Sequence, residues 1–229
     1  MLFDGKKIEF VLLEKLKGVD TKGWIFFAAA AVLASALIIF LVQRRKKCTE
    51  PAAFTANPTP TVILVHGALC IAISFVLSYF KLFSMPNGGS ITLASMLPLM
   101  VYSNRYGAKY GVMAGVVYGF LQYIQKPEMT HWIQMLVDYP IAFGVIGLGG
   151  LVKGERNLVF SVLIGGTLRF LCHLFTGAVF FGEYAAAGQS AFMYSLLYSA
   201  PYMFADIAVC VIIAMLPPFR KAIRSALKY

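Results

Sequence analysis

The chain has 229 residues, of which 59% are hydrophobic and only 13% charged, with a formal net charge of +10. A soluble domain is usually ~25% charged, so water cannot be the solvent for much of this surface. The basic residues fall in short clusters between apolar runs, which marks membrane topology signals and excludes a phosphate-binding face for nucleic acid.

Residues 1–23 form a mixed leader. Phe3, Ile8, Val11, Leu12 and Leu16 recur at roughly helical spacing among Lys6, Lys7, Lys15 and Lys17, a pattern consistent with a surface-lying amphipathic or accessory segment. Residues 24–43 supply a first apolar run, long enough to span a bilayer. It ends in Arg44-Arg45-Lys46-Lys47, a stop-transfer flank and not a cleavage site. Residues 44–60, with Pro51, Pro58 and Pro60, read as a cytoplasmic linker.

Six spans follow, at roughly 61–80, 91–104, 108–125, 132–152, 158–181 and 191–216, with short connectors. The 91–104 span is short and suggests a tilted or loop-assisted crossing. Residues 61–217 are thus read as a six-helix membrane domain and 218–229 as a basic cytoplasmic tail. Placing that tail inside puts Arg44 to Lys47, Arg105, Lys109, Lys153, Arg156, Arg220, Lys221, Arg224 and Lys228 on the cytoplasmic side, and leaves Lys81 and Lys126 on outer connectors. The leader then lies outside. The fold class is an all-α membrane protein: a six-helix bundle plus one extra N-terminal transmembrane helix.

Ionisable groups within spans are costly and therefore informative. Here they are Asp138, Arg169, His173 and Asp206. At ~1.5 Å per residue, Asp138 lies ~9 Å and His173 ~12 Å below the outer end of their helices. Tyr139, Tyr194 and Ser199 fall in the same outer half, with His131, Trp132, Phe180, Phe181 and Tyr184 as a rim. A carboxylate, an imidazole and several aromatic rings suit an aromatic cation. The same residues have blander readings. Asp138 pairing with Arg169 or His173 would hold the bundle, Arg169 and Asp206 read as a structural ion pair, and Trp132 and Tyr184 suit interface anchors.

Gly111, Gly115 and Gly119 recur every four residues, and Gly144, Gly147, Gly149 and Gly150 crowd the next helix, as close helix packing requires. Ala68 and Ala72 form a similar pair, for packing or for docking a partner subunit. Cys48, Cys70, Cys172 and Cys210 show no zinc spacing, and no metal site is expected. Nucleophile, metalloprotease, P-loop and dinucleotide motifs are absent. An enzyme is therefore not expected, and any ATPase must be a separate chain.

Five blocks carry a resemblance: MPNGGSITLASM at 85–96, DYPIAFG at 138–144 running on to GLGGL at 147–151, RFLCH at 169–173, VFFGEYA at 179–185 and YSLLY at 194–198. In order and spacing the chain resembles the thiamine-specific S-component family (the ThiT family) of energy-coupling factor (ECF) vitamin transporters over about residues 61–217. The resemblance implies a substrate-binding subunit in the bacterial plasma membrane, multi-pass with a cytoplasmic C-terminus, that captures thiamine at the outer face. It further implies partners: an ECF transmembrane coupling subunit and two ATPase subunits, whose ATP hydrolysis drives toppling and release inside. ATP is used by those partners and no cofactor is expected in this chain.

The family's pocket maps onto Asp138, Tyr139, His173 and Tyr194, and its docking face onto Ala68 and Ala72. Phe181 stands where some members have tryptophan, Ser199 where the family has asparagine, and the Gly88-Gly89 turn replaces a loop aromatic. Gln122 and His131 are further candidates. These departures leave open an S-component for a thiamine precursor or another vitamin. A remote alternative is an intramembrane enzyme using Asp138 and His173.

Overall fold

The computed structural model of the chain describes residues 12, 14–47, 58–85 and 89–227. Most of the leader, linker residues 48–57, turn residues 86–88 and Lys228 lie outside the described residues. Among those described, helix α1 spans Thr21–Lys47 and α2 Pro60–Leu77. A hairpin of β1 (Lys81–Ser84) and β2 (Ser90–Thr92) follows. Then come α3 (Leu97–Tyr106), α4 (Ala108–Gln125), α5 (Trp132–Leu151), α6 (Leu158–Phe180), α7 (Ala191–Met215) and α8 (Pro217–Leu227).

Among the described residues five helices are long and apolar enough to cross a membrane: those beginning at Thr21, Pro60, Trp132, Glu155 and Ala191. Their outward apolar side chains, such as Ile25, Val32 and Leu33 on α1, are exposed, as lipid-facing residues are. The short α3 solves its length problem differently. Leu97, Leu99, Met100, Val101, Tyr102, Ser103, Asn104 and Tyr106 are all buried, so protein surrounds it on every side. It joins Tyr118, Phe143, Ile146, Leu158 and Val162 in the main apolar core.

The short segment read at 91–104 as tilted or loop-assisted is a strand, a turn and a short helix. Residues 90–92 are a strand that pairs antiparallel with β1, in the register Phe83↔Ile91 and Ser84↔Ser90. Ala94, at φ 52°, then turns the chain before α3 begins. A hairpin pairs its inward backbone groups across the two strands, and Gly89 and Thr92 give their N–H groups to Tyr198 and Asp206 on α7, so the chain re-enters the bundle without a full helix.

Glycines draw α4 onto α5. A Cβ at Gly115 would lie 2.2 Å from the Phe143 carbonyl oxygen, and one at Gly119 2.6 Å from that of Tyr139. Only hydrogen fits in such a gap. Within α5, Pro140 lacks an N–H and its ring crowds the preceding turn. The helix answers with a π-helical turn at Val137–Ile141. Asp138 and Tyr139 project from that turn.

The tail is a structured amphipathic helix. Phe219, Ile223 and Leu227 on one side of α8 pack on the core. Arg224 grips Glu155 through both carboxylate oxygens at 2.8 Å, and Arg105 Nε donates to the Leu227 carbonyl at 3.0 Å. The α3–α4 junction, the α5–α6 junction and α8 therefore gather at one end of the bundle. The hairpin and the α4–α5 and α6–α7 connectors gather at the other.

Candidate functional site

At the hairpin end the helices enclose a cavity of about 490 Å³. Small-molecule pockets typically measure about 300–1,000 Å³. Its walls come from the end of α2, the hairpin, the last turn of α4, the π turn of α5, and α6 and α7. Asp138, Tyr139, His173, Phe181, Tyr194, Ser199 and Gln122 line it.

Asp138 is held on both oxygens. Oδ1 accepts a short hydrogen bond from the Thr176 hydroxyl and stands 3.0 Å from His173 Nδ1; Oδ2 accepts from Gln134 Nε2 at 2.6 Å. The Asp138–His173 pairing read from the sequence is thus present, but within the cavity wall. A carboxylate so placed keeps its orientation while its charge faces the cavity. Nε2 of the same ring is buried without a protein partner, and in a neutral imidazole that gives its Nδ1–H to the carboxylate this atom is an acceptor.

Deeper, Arg169 Nη1 lies 3.7 Å from Asp206 Oδ2 and 2.7 Å from Met96 Sδ, with its guanidinium 4.4 Å above the Phe143 ring. Asp206 Oδ1 also accepts from the Thr92 backbone N–H and hydroxyl at 3.0 and 3.1 Å. This ion pair forms the cavity floor and ties the hairpin to α7. Breaking one side of such a buried pair typically costs about 3–5 kcal/mol. At the rim, Lys126 pairs with Glu128 at 2.7 Å, while Lys81 stands exposed on β1.

Along α7, rings at every fourth residue form one wall. Tyr194 and Tyr198 stack at 6.1 Å, and Tyr198 meets Tyr202 edge-on at 5.7 Å. Tyr184 extends the row, stacked on Tyr194 at 6.5 Å. The Tyr198 hydroxyl accepts from the Gly89 N–H at 3.1 Å, a second tie between α7 and the hairpin.

Two expected placements differ in the structure, and a third residue has its hydroxyl occupied. His131 does not line the cavity. Its Nδ1 accepts from the Ile133 N–H, capping α5, and its ring stacks between Trp132 and Phe180. Burial and the nearby Lys15 push its imidazole below the usual histidine range. Trp132, Phe180 and Tyr184 are also absent from the lining, and of the expected rim Phe181 alone reaches it. Finally, Tyr139 lines the cavity, but its hydroxyl is engaged by protein backbone. It donates to the Lys126 carbonyl at 2.8 Å and accepts from the Glu128 N–H at 3.4 Å, so it organises the α4–α5 connector.

Sequence reasoning missed Gln134, Thr176, Tyr198 and Tyr202. The four-residue spacing of Tyr194, Tyr198 and Tyr202 was a visible signal for a helical face. Nothing comparable marked Gln134 or Thr176. Ala68 and Ala72 lie exposed on α2, away from the cavity.

A family model described as thiamine transporter protein (Thia_YuaJ) matches residues 64–225. The thiamine transporter ThiT of Bacillus subtilis (strain 168) is 34% identical over 169 residues, covering 67% of this chain and 86% of that protein. The thiamine transporter ThiT of Lacticaseibacillus paracasei is 25% identical over 178 residues, covering 68% and 86%. The solved structure of ThiT from Listeria monocytogenes superimposes with a TM-score of 0.62 at 23% identity, over 75% of this chain and 98% of that one. That match is a match of fold. With the family model spanning the bundle, its hairpin and its cavity, the chain belongs to the thiamine transporter family, a family of membrane transport proteins and not of enzymes.

Proposed function

We propose that this protein is the substrate-binding subunit of an ATP-driven ECF-type importer and captures thiamine in the 490 Å³ cavity. One observation carries the ligand reading: Asp138 is the lining carboxylate without a permanent cation beside it. Asp206 is matched by Arg169 and Glu128 by Lys126, whereas the partner of Asp138 is a histidine. A cationic thiazolium facing Asp138, with tyrosine and phenylalanine rings around it, gains charge and ring-face attraction together. The aminopyrimidine amino group is a suitable donor to His173 Nε2. Tyr194, Ser199, Gln122 and Phe181 complete the proposed contacts.

The bundle end bearing the cavity is read as the outer face of a bacterial plasma membrane. Arg105, Lys109, Lys153, Arg156, Arg220, Lys221 and Arg224 cluster at the opposite end or in the segments joining there, which supports a cytoplasmic C-terminus. The exposed Ala68 and Ala72 would let a coupling subunit approach α2 closely, with two ATPase subunits supplying the energy. In this reading residues 61–217 are the binding domain, residues 24–43 an additional span and residues 44–60 a cytoplasmic linker.

Calorimetric titration of the purified protein with thiamine tests the ligand. Saturable binding in the nanomolar range is the expected result. Silence to high micromolar thiamine, with binding of a precursor or another vitamin, would transfer the site to that ligand. Neither Trp24 nor Trp132 lines the cavity, so calorimetry is preferred to intrinsic fluorescence. ATP-dependent uptake into vesicles with and without a coupling module tests the partnership.

A further inference from the structure

The part of the chain that matches the family begins at residue 64, yet residues 12 and 14–27 are packed against the cavity end of the bundle. Val19 is 5% exposed and clusters with Ala178, Val179 and Phe180; Leu12 and Leu16 pack on the same cluster. Lys15 Nζ donates to the Phe180 carbonyl at 3.2 Å and lies 4.0 Å from the Glu183 carboxylate. The acceptor is at the C-terminus of α6, where carbonyls lack helical partners and a cation is favoured. At Gly23, a Cβ would lie 3.1 Å from that of Phe192. The Phe27 ring meets Phe175 and Phe192 edge-on at 5.4 and 5.7 Å.

These contacts grip both ends of the α6–α7 connector, residues 181–190. The connector carries Phe181, which lines the cavity, and Tyr184, which stacks toward Tyr194. Its own backbone bonds are local, from Tyr184 to Phe181, Ala185 to Gly182 and Gln189 to Ala186. Residues 183, 184 and 186–188 are exposed. Segments with local bonds and little burial open at low cost, so external contacts decide how closely this one stays over the cavity.

We propose that residue 12 and residues 14–27 are a positioning clamp that holds the 181–190 connector over the bound ligand and slows its escape. Lys15, Val19 and Phe27 are positioning residues, since none of them lines the cavity. The identity of the ligand rests on the thiamine reading above; the clamp itself does not.

The test uses the full chain with Lys15→Met, Val19→Ala and, as a rescue, Lys15→Arg. Dissociation of labelled thiamine is followed in a chase, and amide hydrogen exchange of residues 181–190 is followed without ligand. Lys15→Met and Val19→Ala are each expected to speed dissociation roughly three- to tenfold and to raise exchange in the connector. Exchange in α3 and α4 stays unchanged, and Lys15→Arg restores both readouts. Unchanged exchange in both variants overturns the clamp, and so does raised exchange without faster dissociation of a ligand that binds. If the unsubstituted chain binds no thiamine but connector exchange rises in the variants, the clamp stands and the thiamine assignment falls.

Discussion

His173 Nδ1 lies 3.0 Å from Asp138 Oδ1, joining the middle of α6 to the π turn of α5. The bond orders two groups at once. It aims the carboxylate and fixes which imidazole nitrogen remains available. Replacing Asp138 with asparagine keeps the shape but removes the charge. Thiamine affinity should fall about a hundredfold, as loss of a charged hydrogen-bonded contact of about 2.7 kcal/mol implies. Calorimetry reads the affinity, and thermal unfolding should show a folded protein.

Thr176 acts one step behind. Its hydroxyl donates to Asp138 Oδ1 and touches no other α5 side chain by hydrogen bond among the described residues. Thr176→Val preserves volume and removes the donor, at a cost of about 1 kcal/mol. Affinity should fall about fivefold and Thr176→Ser should recover it. An unchanged Kd in the valine variant would show that Gln134 and His173 suffice to aim the carboxylate.

Tyr198 latches the hairpin through Gly89. Tyr198→Phe keeps the ring in its stack on Tyr194 but deletes the acceptor for that N–H. Amide exchange in the described hairpin residues 81–85 and 89–92 should rise, with thiamine dissociation faster by roughly two- to fivefold. Unaltered exchange would mean that Asp206, through Thr92, holds the hairpin by itself.

Two small-residue sites should separate packing from docking. At Gly115 an added Cβ meets the Phe143 backbone at 2.2 Å, and backbone cannot step aside. Gly115→Ala should lower stability by about 2 kcal/mol or more, seen as a drop of several degrees in Tm. Ala68 is exposed. Ala68→Leu should leave Tm and thiamine binding unchanged but reduce uptake by the assembled importer; normal uptake would remove α2 as the docking face.

The His131 imidazole is held below its usual pKa by burial and by Lys15. A depressed folded-state pKa means that the unfolded chain binds the proton first. Stability is therefore fully present above the unfolded value of about 6.5 and declines as pH falls through the folded value. Thermal unfolding between pH 7.5 and 5 should show this decline, and His131→Gln should flatten it.

Much of this protein was legible before folding. A bilayer demands ~20 apolar residues per helix, so the long helices announce themselves in any sequence. The penalty for burying charge within a span makes Asp138, Arg169, His173 and Asp206 conspicuous. The glycine spacing of α4 reports close packing because nothing larger would fit.

Other features depended on contacts between distant segments. Neutral polar residues such as Gln134 and Thr176 are tolerated anywhere in a helix, and only the meeting of α5 with α6 makes them donors to Asp138. The glycine turn between Lys81 and Ser90 was visible in the sequence, but the pairing of residues 81–84 with 90–92 was not, because Tyr198 and Asp206, more than a hundred residues away, hold it. His131 looked like a rim residue by depth, but its ring turns to Phe180 to cap and cover the start of α5. Tyr139 shares the π turn with Asp138, and the α4–α5 connector takes its hydroxyl. The apolar pattern alone determined the long spans, since solvation is a property of each segment. The tertiary structure decided which polar groups face the cavity, since a hydrogen bond needs two partners and only the packed bundle brings them together.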